Sequence, residues 1–497
     1  MPFILALDQG TTSSRAIVFD ELGQKRGVFQ LPLEQHFPRP GWVEHDASTI
    51  WDDELRCARE AMALAGVEAA QIAAVGVTNQ RETVVVWERA TGRPIHAAIV
   101  WQDRRTADIC EEIARRPGVA EMVRARTGLN VDPYFSASKI AWVLDHVEGA
   151  RERAEAGELA AGTIDSWLIW SLSAGALHVT DVTNASRTLL YDIGTGEWLP
   201  ELCALFDVPQ AVLPEVVRSS GVVGSTDPTL FGAPIPIAAA CGDQQAALVG
   251  NGGFSPGDAK VTFGTGIFAL MHTGRERPAS EKLAVTLAAQ TGDTLEYALE
   301  GSIFMGGAIV QWVVEQLHLA ESPAAAQALA ESVPDSNGVV LVPALTGLGA
   351  PEWDPYARGA IFGLTRGANS AHVARAAMES IPLQVGDLVG TMVADSGHGL
   401  HALRADGGVT VNTLVMQTLS DVLGIRVDVA AMAESTALGV AYLAGLAVGV
   451  WKSPDDLPML RAVGRTYEPE ARANNRIARL RVLWNEAVKR SLKWEQE

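Results

Sequence analysis

The sequence predicts an α/β protein of two related lobes, each a sheet covered by helices, with a cleft between them. Three observations carry this expectation. Through the first half, apolar strand-like runs alternate with helix-like stretches. A turn-rich break, Asn251-Gly252-Gly253-Phe254-Ser255-Pro256-Gly257, then interrupts the chain. Beyond it, the pattern that opens the chain returns: strand, small and hydroxyl residues, strand.

The opening element is Phe3-Ile4-Leu5-Ala6-Leu7, a short apolar run that reads as a buried strand. Ala16-Ile17-Val18-Phe19-Asp20 reads as its partner. Between them, Asp8-Gln9-Gly10-Thr11-Thr12-Ser13-Ser14-Arg15 carries a carboxylate, a glycine, hydroxyls and an arginine. The glycine lets a ligand approach the backbone, and the set suits a metal-bound polyphosphate. The same residues also make an ordinary β-hairpin with a Ser/Thr-rich turn. Helical patterns follow over residues 47–64, 105–113 and 136–144, and strand patterns over 72–77, 83–87 and 95–101. A strand at 237–240 runs into Cys241-Gly242-Asp243-Gln244-Gln245, and a helix over 246–249 ends at Gly250. The break after it divides the chain into residues 1–250 and 251–497.

In the second half, Lys260-Val261-Thr262-Phe263, Gly264-Thr265-Gly266 and Ile267-Phe268-Ala269-Leu270-Met271 echo the opening hairpin, a weak internal duplication. Two such lobes face to face would each contribute one phosphate-binding turn. Leu403-Arg404-Ala405-Asp406-Gly407-Gly408 ends a strand in a glycine pair, and a helix over 412–423 follows. Glycines before a helix N-terminus suit a nucleotide that lies close to backbone.

At 497 residues the chain is long enough for two or three domains with sizeable cores. The net charge of -20 argues against a nucleic-acid binder, which needs a basic face. It leaves room for an anionic nucleotide, because a local site with a divalent cation overrides the mean field. Cys57, Cys110, Cys203 and Cys241 are far apart, with neither metal-ligand spacing nor a disulfide framework, so a cytoplasmic location is expected. Met1 leads directly into the first strand, so no signal peptide is expected. The most membrane-like run, residues 437–451, falls short of the roughly 20 residues that span a bilayer. Its Gly439, Gly445 and Gly449 point instead to a buried, closely packed helix. No Gly-x-x-x-x-Gly-Lys-Ser/Thr occurs, so phosphate binding must come from backbone N–H groups, hydroxyls and a metal.

Longer motifs give these turns a context. The opening hairpin, the Gly264-Thr265-Gly266 turn and the Asp406-Gly407-Gly408 turn resemble the two phosphate motifs and the adenosine motif of the actin-like ATPase superfamily. Tyr134-Phe135-Ser136-Ala137-Ser138-Lys139-Ile140-Ala141-Trp142 resembles one signature of the FGGY carbohydrate kinases. Gly359-Ala360-Ile361-Phe362-Gly363-Leu364, continuing through His372 to Glu379, resembles the other. Pro40-Gly41-Trp42-Val43-Glu44-His45-Asp46, Thr78-Asn79-Gln80-Arg81-Glu82-Thr83 and Trp101-Gln102-Asp103-Arg104-Arg105 are similar to the glycerol-phosphorylating branch of that family. So are Gly242-Asp243-Gln244-Gln245, Thr346-Gly347-Leu348-Gly349-Ala350-Pro351 and Tyr356-Ala357-Arg358-Gly359. The likeness runs from about Phe3 to about Trp451.

The resemblance implies two actin-like (ribonuclease H-like) lobes with a catalytic cleft between them, the first holding glycerol and phosphate, the second the nucleotide. It implies ATP-dependent phosphorylation of glycerol to sn-glycerol 3-phosphate, the first step of glycerol catabolism. Mg2+ would accompany ATP, and the chain would form a homodimer or homotetramer. Another sugar or polyol kinase of the same fold and a non-catalytic nucleotide-dependent scaffold or sensor are the competing functions.

Within this frame the resemblance makes Asp243 the general base, although a carboxylate before a helix also suits an N-cap. Asp8, with Asp243, would hold Mg2+ through water. Thr11, Thr12 and Ser13 would contact phosphate oxygens, and Arg15 would place a fixed positive charge near the transferring group. Thr265 would hold phosphate from the opposite lobe, or serve turn geometry alone. A triol offers no charge, so it needs directed hydrogen bonds. Arg81 would supply a donor fork, Glu82 an acceptor, Tyr134 a phenol, and Asp243 with Gln244 the remaining partners. The Arg81 and Glu82 charges also suit a purely structural buried pair. Trp101 and Phe268 would flank the carbons, or pack the core. Gly307, Gln311, Gly408 and Asn412 would bind the nucleotide. Thr226-Asp227-Pro228-Thr229-Leu230-Phe231 lacks the glycines and arginine of the family's sugar-bisphosphate effector loop, so that control is not expected. A charged, amphipathic C-terminal helix region is expected from Tyr467 to Arg490.

Overall fold

The computed structural model of the chain describes residues 2–432, 434–457 and 463–495. Two large sheets organise it. The first has six strands, in the order Ser220–Ser225, Pro236–Gly242, Ile72–Asn79, Phe3–Gln9, Ser13–Asp20, Lys25–Pro32. The second has seven: Ala284–Leu287, Tyr297–Ile303, Ile267–Gly274, Ala259–Phe263, Ala402–Asp406, Arg426–Ala430, Val463–Tyr467. Both repeat one plan. A three-stranded antiparallel meander is extended, from its first strand, by two parallel strands: Ile72–Asn79 and Pro236–Gly242 in the first sheet, Ala402–Asp406 and Arg426–Ala430 in the second. The internal duplication expected from two hairpins therefore extends to whole sheets.

In the first sheet the parallel strands are buried along nearly their whole length, because helices cover both faces. The helix Ala47–Ala65 shows how sequence fixes one such cover. Asp46 caps it by accepting from the N–H groups of Ser48 and Thr49, and Gly66 ends it in the left-handed conformation. Its Ile50, Cys57, Ala58, Ala61 and Met62 recur at helical spacing and are buried against Leu5, Leu7, Ala16 and Val18.

The small-residue helix, Ser435–Ala447, is buried as its glycines predicted. It covers the other face of the first sheet: Ala437, Leu438, Val440, Ala441 and Leu443 join one core with Ile4, Ala6, Ile17, Phe19 and Ala74. It also crosses the helix Asp243–Gly250 at close range, Gly439 against the carbonyl of Ala246 and Gly250 against that of Ser435. Chain from beyond residue 250 thus completes the core under the opening hairpin. Among the described residues no helix is long and apolar enough to cross a membrane.

Some boundaries differ from expectation. The helix placed at 246–249 begins at Asp243, since an acidic residue is favourable in the first turn beside the N–H groups. The strand expected over 95–101 shrinks to Ala98–Ile99, because Asp103 folds back and its N–H bonds the Val100 carbonyl at 2.9 Å. At the C-terminus Tyr467 ends a strand, and the amphipathic helix is Asn474–Ser491, burying Ile477, Leu480, Trp484 and Val488.

His45 gives a stability signature. It is fully buried on Glu44–His45, with Gln80 Nε2 3.4 Å from its Nδ1. Burial, reinforced by His36, pushes its pKa down to about 4. The unfolded imidazole takes up a proton near pH 6.5, whereas the folded one does so only near 4. The unfolded state therefore binds more protons across this window. Stability is full above pH 6.5 and falls towards pH 4, by roughly 3 kcal/mol from this group. Urea unfolding across that window should show a flatter pH dependence for His45→Asn than for the parent. Equal slopes would remove His45 from the account.

Candidate active site

Three parallel strands end side by side in the first lobe. In register, Asp8 stands opposite Thr78, Cys241 opposite Thr78 from the other side, and Gly242 opposite Asn79. The opening turn, the Gln80-Arg81-Glu82 segment and Asp243 therefore all emerge at the carboxyl edge of one sheet, where open α/β sheets place ligands. A buried polar platform fixes these ends. Asn79 and Asn184 exchange side-chain hydrogen bonds at 3.0 and 3.1 Å. Thr183 Oγ1 accepts from the Gly242 N–H at 2.8 Å, and Asp181 accepts from Thr183, Asn184 and Ser219.

Asp243 opens its helix with a carboxylate that is 34% exposed at the side chain. Gly242 supplies the N-cap position, so Asp243 is no cap; its Oδ1 accepts from the N–H of Gln244 at 2.7 Å. Burial raises its pKa, and the Arg81 guanidinium opposes that shift. Arg81 Nε stands 3.3 Å from Asp243 Oδ1. Gly242 makes this approach possible, since a Cβ there would sit 2.6 Å from Arg81 Cδ. Glu82 holds a left-handed φ of 64°, a costly conformation for a side chain of its size. It accepts from Arg187 Nε at 2.6 Å, and Ser136 Oγ donates to its carbonyl at 3.2 Å.

Tyr134 lies edge-on to Trp101, with ring centroids 5.5 Å apart, and burial raises its phenol pKa. Its loop is pinned by Lys139, whose buried ammonium donates to the carbonyls of Pro133, Tyr134 and Phe135 at 3.0, 2.6 and 2.8 Å. Tyr134 and Phe268 line one cavity of about 240 Å³ together with Arg187, Glu300 and Phe304. Phe268 comes from the second sheet, so the cavity lies between the lobes. Trp101 is half-buried, and its Nε1 donates to Thr11 Oγ1 at 2.9 Å. That bond ties the candidate polyol residues to the candidate phosphate turn.

In the turn itself, the Gly10 N–H bonds the Ser13 carbonyl at 2.9 Å, which leaves Thr12 exposed and Thr11 and Ser13 half-buried. Arg15 pairs with Asp8 directly across the hairpin register. The carboxylates of Asp8 and Asp243 stem from strands separated by one other, roughly 10 Å at the backbone. Among the described residues no cluster of three or more His, Cys, Asp or Glu could hold an ion directly, so any role of these two carboxylates towards Mg2+ would run through water.

The second lobe gathers the remaining residues. Thr265 is exposed at the tip of its turn. The Gly307 N–H donates to the Gly264 carbonyl at 2.8 Å, fixing the start of Ala308–Glu315, and Gln311 lies exposed one turn later. Gly307 is pressed against Val409, which follows the exposed Gly408. Asn412 is spent otherwise: its Oδ1 caps the helix Thr413–Leu423 and its Nδ2 faces Met378 Sδ at 3.5 Å.

The chain matches the N-terminal domain of the FGGY family of carbohydrate kinases over residues 3–250, and its C-terminal domain over residues 259–448. The chain belongs to this family. A glycerol kinase of Deinococcus radiodurans is 53% identical over 496 residues, covering 100% of this chain and 98% of the relative. One from Trichlorobacter lovleyi is 54% identical over 497 residues, covering 100% of both. The crystal structure of Plasmodium falciparum glycerol kinase with ADP superposes with a TM-score of 0.94 at 35% identity, covering 99% of this chain and 98% of that one. A gluconate kinase from Lactobacillus acidophilus shares the fold at a TM-score of 0.89 and 21% identity, covering 98% of each chain. The two lobes are thus the actin-like pair of FGGY kinases.

Four residues at this FGGY site were not picked out by sequence reading: Arg187, Gln245, Lys260 and Glu300. Gln245 accepts from Arg81 Nη1 at 3.2 Å, and Lys260 Nζ donates to Gln244 Oε1 at 2.6 Å from the second sheet. A faint signal existed, since Glu300 and Lys260 are charges inside strands that are buried at every other position but one.

Proposed function

We propose that this chain phosphorylates glycerol with ATP, yielding sn-glycerol 3-phosphate and ADP, in the cytoplasm. The observation that carries the reading is the convergence of Asp243, Arg81 and Glu82 at one sheet edge, beside the cavity lined by Tyr134 and Phe268. Full-length identity above one half to glycerol kinases supports the choice of polyol.

Arg81, Glu82, Tyr134 and Gln244 bind and orient the hydroxyls, while Trp101 and Phe268 flank the carbons. Asp243 accepts the proton of the terminal hydroxyl as that oxygen bonds the γ-phosphorus and the bond to ADP breaks. Mg2+, held through water by Asp8 and Asp243, would neutralise charge on the ATP phosphates. Thr11, Thr12, Ser13 and Arg15 hold phosphate from the first lobe and Thr265 from the second. Arg15, paired with Asp8 across the hairpin, would place its positive charge towards the phosphates. Gly307, Gln311 and Gly408 frame the nucleotide, and Asn412 acts by fixing the helix behind it.

The test is a substrate panel with purified chain, Mg-ATP and glycerol, xylulose or gluconate, following glycerol 3-phosphate and ADP. Glycerol should lead in kcat/KM by about 10²-fold or more, because a site built for specific hydroxyls leaves buried groups unpaired with the wrong polyol. No glycerol 3-phosphate, or preference for a sugar, would overturn the proposal.

A further inference from the structure

Glu300 belongs to the second sheet, on the strand Tyr297–Ile303, yet its carboxylate is spent entirely on the first lobe. Its Oε2 accepts from Arg81 Nη1 at 2.5 Å, and its Oε1 from Arg81 Nη2 at 3.1 Å. The same Oε1 lies 2.9 Å from Arg187 Nη2. Arg187 in turn holds Glu82 at 2.6 Å. The four side chains are 2–7% exposed, so solvent screens none of these contacts. Two guanidiniums and two carboxylates thus form a closed circuit, three members from the first lobe and one from the second.

The circuit touches the candidate polyol site on both sides. Arg81 stands 3.3 Å from Asp243, and Arg187 and Glu300 line the cavity with Tyr134 and Phe268. A bidentate carboxylate fixes the plane of a guanidinium as a single bond cannot. Among the described residues of the first lobe, Arg81 has only Gln245 and the more distant Asp243 and Glu82 as polar partners. Without Glu300 two buried cations would share the remaining carboxylates, and Arg81 would lose its orientation. Burial by itself would raise the Glu300 pKa, but Arg187 and Arg81 outweigh it and hold the carboxyl at about 2. The anchor is therefore charged throughout the working range.

We propose that Glu300 is a positioning residue for polyol binding: it reaches across the lobe boundary to hold Arg81 and Arg187, so that the hydroxyl-binding site of the first lobe is complete only with the second lobe docked on it. The proposal rests on the reading of the site as a glycerol kinase.

Steady-state kinetics of Glu300→Gln and Glu300→Asp test it. Glu300→Gln keeps the shape and removes the charge. Its KM for glycerol should rise about tenfold or more, with KM for ATP within about twofold of the parent, since ground-state binding of only one substrate is lost. Glu300→Asp retains the charge on a shorter stem, and its KM for glycerol should fall between the two. A merely structural role would reduce the active fraction, lowering kcat while leaving both KM values in place. A folded Glu300→Gln with an unchanged KM for glycerol overturns the proposal. If Glu300→Gln does not fold, Glu300→Asp decides: an elevated KM for glycerol supports the proposal, and the parent value overturns it. A parent chain that makes no glycerol 3-phosphate overturns the underlying reading as well, whereas an active parent with unaffected variants overturns the role of Glu300 alone.

Discussion

The Asp243→Asn variant is expected to lose phosphoryl transfer by about 10²–10⁴-fold while still binding glycerol and nucleotide. Asparagine keeps the shape, and the Gln244 N–H, 2.7 Å from Oδ1, still finds a carbonyl oxygen to bond. What disappears is an acceptor for the hydroxyl proton at a half-exposed position beside Arg81. Arg81 keeps its bidentate hold on Glu300, so the polyol site should survive. Calorimetric titration with glycerol separates the two effects. Turnover near the parent level would remove Asp243 as the base. Lost turnover with lost glycerol binding would make it a binding residue instead.

The second large effect concerns the helix crossing behind that base. Gly439→Ala is expected to destabilise the protein by about 1–3 kcal/mol or more, because the added methyl has nowhere to go. Its Cβ would lie 1.8 Å from the Ala246 carbonyl oxygen and 2.9 Å from the Gly250 nitrogen. Both obstacles are backbone, so the helices must separate. Ala246 sits on the helix that begins at Asp243, so activity should fall together with stability. Gly390→Ala is the control: it lies inside the helix Ser370–Ser396, where an added Cβ meets nothing within 4 Å. That change should be neutral, or stabilising by roughly 0.5–1 kcal/mol. Denaturant unfolding of both variants gives the comparison, and a Gly439→Ala protein as stable as the parent would refute the tight crossing.

Much of the architecture was legible because its signals are local. A strand of alternating or continuous apolar residues, a turn with its glycine, and a cap beside a helix are all written within a few positions. The opening hairpin and the repeat at Gly264-Thr265-Gly266 are of this kind. Even the burial of Ser435–Ala447 could be read from its glycines.

Other features depend on partners remote in the chain. That Ser435–Ala447 covers the first sheet rather than the second depends on how the lobes close, which no local pattern records. Asn412 reads as a nucleotide residue by motif, yet its side chain is engaged by the helix it caps. Arg187 carries no signal in sequence and Glu300 only that of a charge inside an apolar strand, and their meeting with Arg81 and Glu82 gives them a place at the site.

The sequence by itself determined the α/β class, the doubled hairpin, the candidate base at Asp243 and the polyol pair Arg81 and Glu82. The class and the hairpin follow from residue types and short spacings, whereas the roles of Asp243, Arg81 and Glu82 follow from the family resemblance of the longer motifs. The tertiary structure alone decided that three strand ends bring Asp8, Arg81 and Asp243 to one edge, and that a carboxylate from the opposite lobe holds Arg81 in place. Hydrogen bonds and ion pairs act over about 3 Å, and nothing in a linear chain states which residues 219 positions apart will come that close.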